Sequence, residues 1–114
     1  MAARANPSSV VLASLERFRG LLEDRFGARL REVVLFGSRA RGDAHEESDV
    51  DVLVVIDALT PEERRVVVDL SYDVDFAGPW LGISPLAYST QQACELRQRE
   101  RRLFLDIDRE GVRV

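Results

Sequence analysis

GSRARGDAHEESDVD, residues 37–51, is the segment that decides the fold of this chain. Gly37 and Ser38 follow directly after an apolar run, residues 33–36, and Asp49 and Asp51 open a second apolar run, residues 52–56. A glycine after a strand lets the backbone turn sharply and lets a phosphate group approach closely, and the Ser38 hydroxyl adds a donor. The segment therefore predicts two buried strands joined by a polar loop that begins with a phosphate-binding turn.

The two aspartates predict a metal site at the start of the second strand. Asp49 and Asp51 are two residues apart, so both side chains project from the same face of a strand. Two carboxylates on one face repel each other unless a cation lies between them. Mg²⁺ is commonly held by one or two carboxylates together with substrate phosphates. A phosphate-binding turn beside such a site suits nucleotidyl transfer.

The distribution of charge excludes several other functions. The formal net charge is −4, and residues 37–57, with six acids against two arginines, account for all of it. All 16 basic residues are arginines, which excludes a lysine-dependent P-loop and Schiff-base chemistry. No broad basic face is visible in the sequence, so we do not expect direct binding to nucleic acid. The single cysteine excludes an internal disulfide and a cysteine-based zinc site.

The segments before the loop predict a helix and a strand. An apolar stripe at helical spacing indicates a first helix with Ser8 or Ser9 as its N-cap and Gly27 at its end. Its members are Val11, Leu15, Phe18, Leu22 and Phe26. The short β-branched run 30–36 favours a buried strand, and 49–57 a second one.

The segment after the second strand carries two competing patterns. Thr60, Pro61 and Glu63 form a capping box that predicts a helix over 61–77. Alternating apolar residues over 66–76 would also suit a strand. We favour the helix because the N-terminal signal is complete.

Residues 83–89 predict a third strand, near the edge of the sheet because it contains Pro85. A final helix is expected from about Thr90, as N-cap, to about Glu110, with Gly111 as its stop. Trp80, in the break after the second helix, is expected to pack in the core or against its own loop. The predicted class is therefore α/β (α+β), a small mixed sheet flanked by helices in the order α-β-β-α-β-α.

The length of 114 residues fits a single domain spanning 1–114, in which we expect residues 1–8 to be flexible. The beginning of the sequence has no apolar signal-peptide region. The uncharged run 76–94 is interrupted by Pro79 and Pro85, so we predict neither a membrane span nor a membrane partner. A cytoplasmic location is the expectation.

Residues 37–51 resemble the signature of the polymerase-β-like nucleotidyltransferases, Gly-Ser, ten residues and then Asp-x-Asp. Further agreement at Ala40, Gly42 and Ser48 is similar to the small, stand-alone prokaryotic branch, the minimal nucleotidyltransferases. The resemblance covers about residues 10–114, although only 37–51 is specific.

The resemblance implies roles for six residues. Gly37 and Ser38 would hold the triphosphate of a nucleoside triphosphate such as ATP, and Asp49 and Asp51 would be the catalytic ligands of Mg²⁺. The arginines within the loop, Arg39 and Arg41, would add positive charge near the phosphates.

The resemblance also implies a partner. Stand-alone members of this branch often pair with a HEPN-domain protein and act as antitoxins, by adding AMP to a tyrosine of the partner or by binding alone. The sequence names neither the acceptor nor the oligomeric state, so a homo-oligomer stays open.

One departure from the family pattern affects catalysis. Active members generally carry a third carboxylate on a later strand, and the strand 83–89 contains no acid. We predict that Ser84 occupies that position. The alternative is that residues 66–76 form the neighbouring strand, and that Asp69, Asp73 or Asp75 supplies the third acid.

Two classes of function follow. One is a Mg²⁺-dependent enzyme that transfers AMP or another nucleoside monophosphate to a hydroxyl, which the Asp-x-Asp pair favours. The other is a nucleotidyltransferase-fold binding module that neutralises or regulates a partner, which the missing third acid favours. An antibiotic-modifying enzyme is a weaker third hypothesis, because the chain has no second domain to shape a drug pocket.

Overall fold

A computed structural model describes residues 8–37 and 49–114, with only the backbone of Arg101. In chain order the elements are α1, β1, β2, α2, β3, α3, α4 and β4. Their bounds are Ser9–Phe26, Leu30–Phe36, Val50–Ile56, Pro61–Ala77, Ile83–Ser89, Thr90–Arg99, Arg101–Glu110 and Val112–Arg113. A short 3₁₀ turn, Gly27–Arg29, joins α1 to β1.

The strands form one mixed sheet in the order β3-β2-β1-β4. β1 is antiparallel to β2 and to β4, whereas β2 and β3 run parallel. Parallel neighbours need a crossover, and α2 supplies it. The predicted fold class, a small mixed sheet flanked by helices, is confirmed.

Both faces of the sheet are covered by helices, which explains why β2 is almost entirely apolar. Alternate residues of the strands point to opposite faces. On one face α1 and α2 pack on Val33, Val52 and Val54. On the other face Ala93 of α3 and Phe104 and Ile107 of α4 pack on Val34, Leu53 and Val55. The strand that carries Asp51 is therefore held from both sides.

The predicted helix over 61–77 is confirmed with its capping box. Thr60 Oγ1 accepts a hydrogen bond from the Glu63 backbone N–H at 3.1 Å, and Glu63 Oε1 accepts one from the Thr60 N–H, also at 3.1 Å. Residues 66–76 are thus helical, and the strand alternative is wrong. The third strand, Ile83–Ser89, is also confirmed and lies at an edge of the sheet, as Pro85 predicted.

The C-terminal region differs from the prediction of one helix. The backbone leaves helical geometry at Glu100, at φ −114° and ψ 60°, which divides the segment into α3 and α4. The break lets Phe104 and Ile107 of α4 reach the sheet face beside Ala93 of α3. The N-cap of α3 is Ser89 rather than Thr90, because Ser89 Oγ accepts the Gln92 N–H at 3.1 Å. The short strand β4 was not predicted.

Trp80 does not lie in the core. Its side chain is 57% exposed and packs against two other exposed rings of α2, with centroid distances of 5.1 Å to Phe76 and 6.4 Å to Tyr72. The expectation of core packing is wrong, because the turn after α2 runs along the surface.

None of the described helices is both long enough and apolar enough to cross a membrane. At the N-terminus Ser8 caps α1 by accepting the Val11 N–H at 3.2 Å, while residues 1–7 of the predicted flexible segment lie outside the described residues.

Candidate active site

The candidate site lies where β2 begins. Asp51 is the second residue of β2, and its neighbours across the sheet are Phe36 of β1 and Ser84 of β3. Asp49 directly precedes the strand and is exposed, whereas Asp51 is half-buried. Among the described residues, α3 and α4 pack over the Leu53 and Val55 part of this face, and Asp51 lies beyond that contact.

Gly37 brings the turn after β1 against Asp51. Its φ of +79° is a conformation that residues with a side chain rarely adopt. A Cβ built at this position would lie 2.9 Å from Asp51 Oδ2. Any side chain here would therefore occupy the space directly in front of the carboxylate, and the glycine keeps that space free.

Gly82, directly before β3, likewise leaves the space in front of the Asp49 carboxylate free of a side chain. Its φ is +70°, and a Cβ there would lie 3.1 Å from Asp49 Oδ1. The Gly82 carbonyl accepts a hydrogen bond from the Val50 N–H at 3.1 Å, which ties the turn before β3 to the start of β2. The two carboxylates are thus bordered by two glycine turns, one directly after β1 and one directly before β3.

The electrostatics of this end of β2 are unfavourable for two negative charges. Burial, and then repulsion by Asp49, raise the pKa of the Asp51 carboxyl above its ordinary value. Within residues 8–37 and 49–114, no basic side chain forms an ion pair with either carboxylate. A bound cation would reverse both effects.

Near the opposite end of β2, the acidic side chains are hydrogen-bonded and paired with arginines. Asp57 accepts hydrogen bonds from the Thr90 hydroxyl and, at 2.7 Å, from Arg31 Nε. Glu63 pairs with both terminal nitrogens of Arg29, at 2.8 and 2.7 Å. The Thr90 hydrogen bond and then Arg31 lower the pKa of Asp57, and the Arg29 guanidinium lowers the pKa of Glu63 to about 2.

The prediction for the third carboxylate is confirmed: Ser84 is the residue of β3 paired with Asp51. Asp69 and Asp73 are exposed on α2, and Asp75 is buried at its end, where its carboxylate accepts backbone N–H groups. Among the described residues, no three His, Cys, Asp or Glu side chains are close enough together to hold a metal ion.

Of the other predicted site residues, Ser38, Arg39 and Arg41 lie outside the described residues. The sequence reasoning missed the contact of Gly82 with Asp49. A signal for it was present, because parallel strands begin at the same edge of a sheet, and a glycine just before β3 must lie near the start of β2.

Asp49 and Asp51 fit a hard divalent cation. Carboxylate oxygens are the donors that Mg²⁺ prefers, and a site with one or two of them normally completes its shell with water and phosphate oxygens. The raised pKa of Asp51 is the observation that supports the fit, since a cation at this position would favour the charged carboxylate.

Comparison with known proteins agrees with this geometry. The family model described as "Nucleotidyltransferase domain" matches residues 15–107. A crystal structure of a toxin–antitoxin with AMP-PNP superimposes with a TM-score of 0.55 at 22% identity, over 86% of this chain and 70% of that chain, which shows the shared fold.

Several relatives have names that refer to protein adenylyltransferases. Among them are two from Methanocaldococcus jannaschii, whose names propose this activity. The first is 37% identical, over 54% of this chain and 52% of its own length. The second is 33% identical, over 68% of this chain and 79% of its own length. The protein adenylyltransferase MntA of Thermococcus cleftensis is 58% identical over 29% of this chain and 31% of its own length. The chain thus spans about half the length of the first relative.

The glycine turn and paired aspartates lie within the region that the family model matches, and the chain belongs to the nucleotidyltransferase domain family.

Proposed function

We propose that the protein transfers AMP from ATP to a hydroxyl group of a partner protein, with Asp49 and Asp51 holding Mg²⁺. The observation that carries this proposal is the pair of carboxylates at the start of β2, which have no basic partner among the described residues while the pKa of Asp51 is raised. Membership of the family and the adenylyltransferase names of relatives support the type of reaction.

In this reaction the acceptor oxygen attacks the α-phosphorus of ATP. The bond from the α-phosphorus to the oxygen that bridges to the β-phosphate breaks, pyrophosphate leaves with the electron pair, and the acceptor proton passes to water. Bound Mg²⁺ supplies charge neutralisation at the phosphates. Asp49 and Asp51 would hold that ion, while the Gly37 turn carries no side chain in front of Asp51. Ser38, Arg39 and Arg41, which lie outside the described residues, would contact the triphosphate, as the resemblance implies.

The partner in this proposal is a HEPN-domain protein in the cytoplasm. The resemblance of residues 37–51 to the minimal nucleotidyltransferases supports it, and so does the toxin–antitoxin structure with a similar fold. The nucleotide is ATP, in line with the adenylyltransferase names.

A second candidate function is a binding module that neutralises a partner without modifying it. Ser84 favours this candidate, because it occupies the strand position beside Asp51 and offers a hydroxyl instead of a carboxylate. With two carboxylates the second metal ion of a two-metal mechanism lacks a ligand, and transfer should be slow.

The test combines labelled transfer with binding. The protein is incubated with ATP labelled at the α-phosphate, Mg²⁺ and a HEPN-domain protein of the same organism, and the partner is examined for the mass of one added AMP. We expect transfer in the wild type and none in an Asp49→Asn, Asp51→Asn double variant or with EDTA. Partner binding without label would support the binding module. Absence of both label and Mg²⁺-dependent ATP binding would contradict the proposed enzyme.

A further inference from the structure

A buried carboxylate close to the site has no basic partner among the described residues. Asp75 lies in the last turn of α2 and is 2% exposed. Its Oδ1 accepts the backbone N–H of Leu81 at 3.0 Å, and its Oδ2 accepts that of Ile83 at 2.9 Å. One carboxylate thus fixes the backbone on both sides of Gly82.

The location of this carboxylate is unfavourable in two respects. Burial of a carboxylate without a counter-charge is costly unless its oxygens are hydrogen-bonded. A negative charge in the last turn of a helix also opposes the helix dipole, and α2 has no basic residue there to compensate. Among the described residues, the two backbone hydrogen bonds are the contacts that offset these effects, so the geometry of the turn depends on Asp75.

The turn that Asp75 fixes is the one that contacts the metal-binding pair. Gly82 lies between the two amides, its Cβ position would be 3.1 Å from Asp49 Oδ1, and its carbonyl accepts the Val50 N–H at 3.1 Å. A shift of Gly82 would therefore displace Asp49 and the start of β2. Asp73, two residues earlier on the same helix, is exposed and makes no such contact.

We propose that Asp75 is a positioning residue for the metal site, acting through the Leu81 and Ile83 amides and Gly82 to fix Asp49. This inference rests on the proposed function, because it takes Asp49 and Asp51 as the metal ligands. It assigns Asp75 no contact with the metal or with the nucleotide.

The chain contains its own reporter for this turn. Trp80 is the single tryptophan of the sequence and lies in the turn, with its ring edge-to-face against Phe76 at 5.1 Å between ring centroids. Metal binding at Asp49 should change the emission of Trp80, because Gly82, two residues after Trp80, borders the Asp49 carboxylate: a Cβ at Gly82 would lie 3.1 Å from Asp49 Oδ1.

The test measures Mn²⁺ affinity by the electron paramagnetic resonance signal of free Mn²⁺, together with Trp80 emission. In Asp75→Asn the side-chain oxygen can still accept one of the two backbone N–H groups, but the side-chain NH₂ faces the other N–H, and two donors cannot form a hydrogen bond. We therefore expect Mn²⁺ to bind about tenfold more weakly. Two variants serve as controls and should bind Mn²⁺ like the wild type: Asp73→Asn tests charge removal from the same helix, and Thr60→Ala tests general destabilisation of that helix. High Mn²⁺ concentration should restore nucleotide binding in Asp75→Asn.

The outcomes separate this inference from the proposed function. If the wild type binds no Mn²⁺, the metal site itself is wrong, and the role of Asp75 falls with it. If the wild type binds Mn²⁺ but Asp75→Asn binds equally well, or Thr60→Ala weakens binding as much, only the inference is overturned. If Asp75→Asn does not fold, amide hydrogen exchange on the wild type decides: Mg²⁺ should slow exchange at Leu81 and Ile83, and an unchanged rate at both would overturn the coupling.

Discussion

The acidic side chains near the two ends of β2 have pKa values shifted in opposite directions. At the end of the strand, Asp57 is held by Thr90 and Arg31, and nearby Glu63 by Arg29, so the pKa of each carboxyl is lowered. At the start of the strand, burial and repulsion between Asp49 and Asp51 raise the pKa of Asp51.

This difference separates acids that stabilise the fold from acids that are available for a ligand. The fold provides Asp57 with cationic and hydroxyl partners from β1 and α3, whereas the described part of the chain provides none at the start of β2. Two neighbouring carboxylates without a counter-charge disfavour each other's ionisation, and a cation bound between them would relieve that repulsion. The contrast therefore distinguishes the start of β2 as the place of the proposed Mg²⁺ site, and it can be tested from both ends.

The largest effect is expected for Gly37→Val. The φ of +79° strains any residue with a side chain, and a Cβ 2.9 Å from Asp51 Oδ2 would force the carboxylate to move. We expect loss of measurable Mg²⁺-dependent ATP binding by calorimetry, with the helix content retained by circular dichroism. Gly20→Ala is the matched control, because a Cβ at Gly20 of α1 meets no atom within 4 Å. Normal ATP binding by Gly37→Val would place the phosphates elsewhere.

The second largest effect is expected for Ser84→Asp, which would supply the missing third carboxylate. Ser84→Asp places a carboxylate beside Asp51 on the neighbouring strand. Even residues that only orient metal ligands contribute about 10- to 100-fold to metal affinity, so a new ligand should raise Mn²⁺ affinity by about tenfold or more, with faster AMP transfer. Leu86→Asp, two residues further along the same strand, is a control for the added charge. Equal affinity in wild type and Ser84→Asp would show that Ser84 does not face the metal.

Smaller effects on stability should have opposite signs at the two ends. Without metal at pH 7, Asp51→Asn should raise the unfolding midpoint, because it removes a carboxylate whose ionisation is disfavoured in the folded state. Asp57→Asn should lower the midpoint, because it removes a carboxylate whose ionisation the fold favours. Thermal unfolding in EDTA measures both, and midpoint changes of the same sign would contradict the contrast.

The dependence on pH follows from the same shifts. The raised pKa of Asp51 means that its ionisation destabilises the folded state, and this destabilisation appears as the pH rises above the ordinary pKa of an aspartate. The lowered pKa of Glu63 means that its favourable contribution is complete above the ordinary glutamate value and is lost as the pH falls toward about 2. The difference in midpoint between wild type and Glu63→Gln should therefore disappear near that pH, and a difference that persists there would need another cause.

The smallest effect is expected for Thr60→Ala, which acts only at the Asp57 end. It removes the side-chain acceptor for the Glu63 N–H at the start of α2, and loss of such a cap typically costs about 1 kcal/mol. Urea unfolding measures the loss, and Mg²⁺-dependent ATP binding should not change. Reduced ATP binding in this variant would show that the two ends are coupled.

The elements with complete local signals were predictable from the sequence. The capping box at Thr60 and Glu63 predicted α2 against an equally visible strand pattern, and Pro85 predicted an edge position for β3. The position of Ser84 beside Asp51 was predicted from the family pattern, which places a third carboxylate on a later strand, once residues 61–77 were assigned to a helix.

The remaining features depend on contacts that no local pattern encodes. The break at Glu100 has neither glycine nor proline, and it reflects the need of Phe104 to reach the sheet. Asp75 looks like any helical aspartate in the sequence, and only the path of the turn shows that its carboxylate holds Leu81 and Ile83. Within the site, the aspartates and Gly37 were predictable as a motif, whereas Gly82 required the register of β2 and β3.

The two edges of the sheet also restrict how another protein can attach. Edge strands expose backbone groups that invite pairing with a strand of another chain. Here one edge is β4, which is only two residues long, and the other is β3, where Pro85 has no N–H to donate. Within residues 8–37 and 49–114, neither edge offers a continuous row of donors. Pairing of another chain's strand with either edge is therefore disfavoured, and so is self-association into extended sheets.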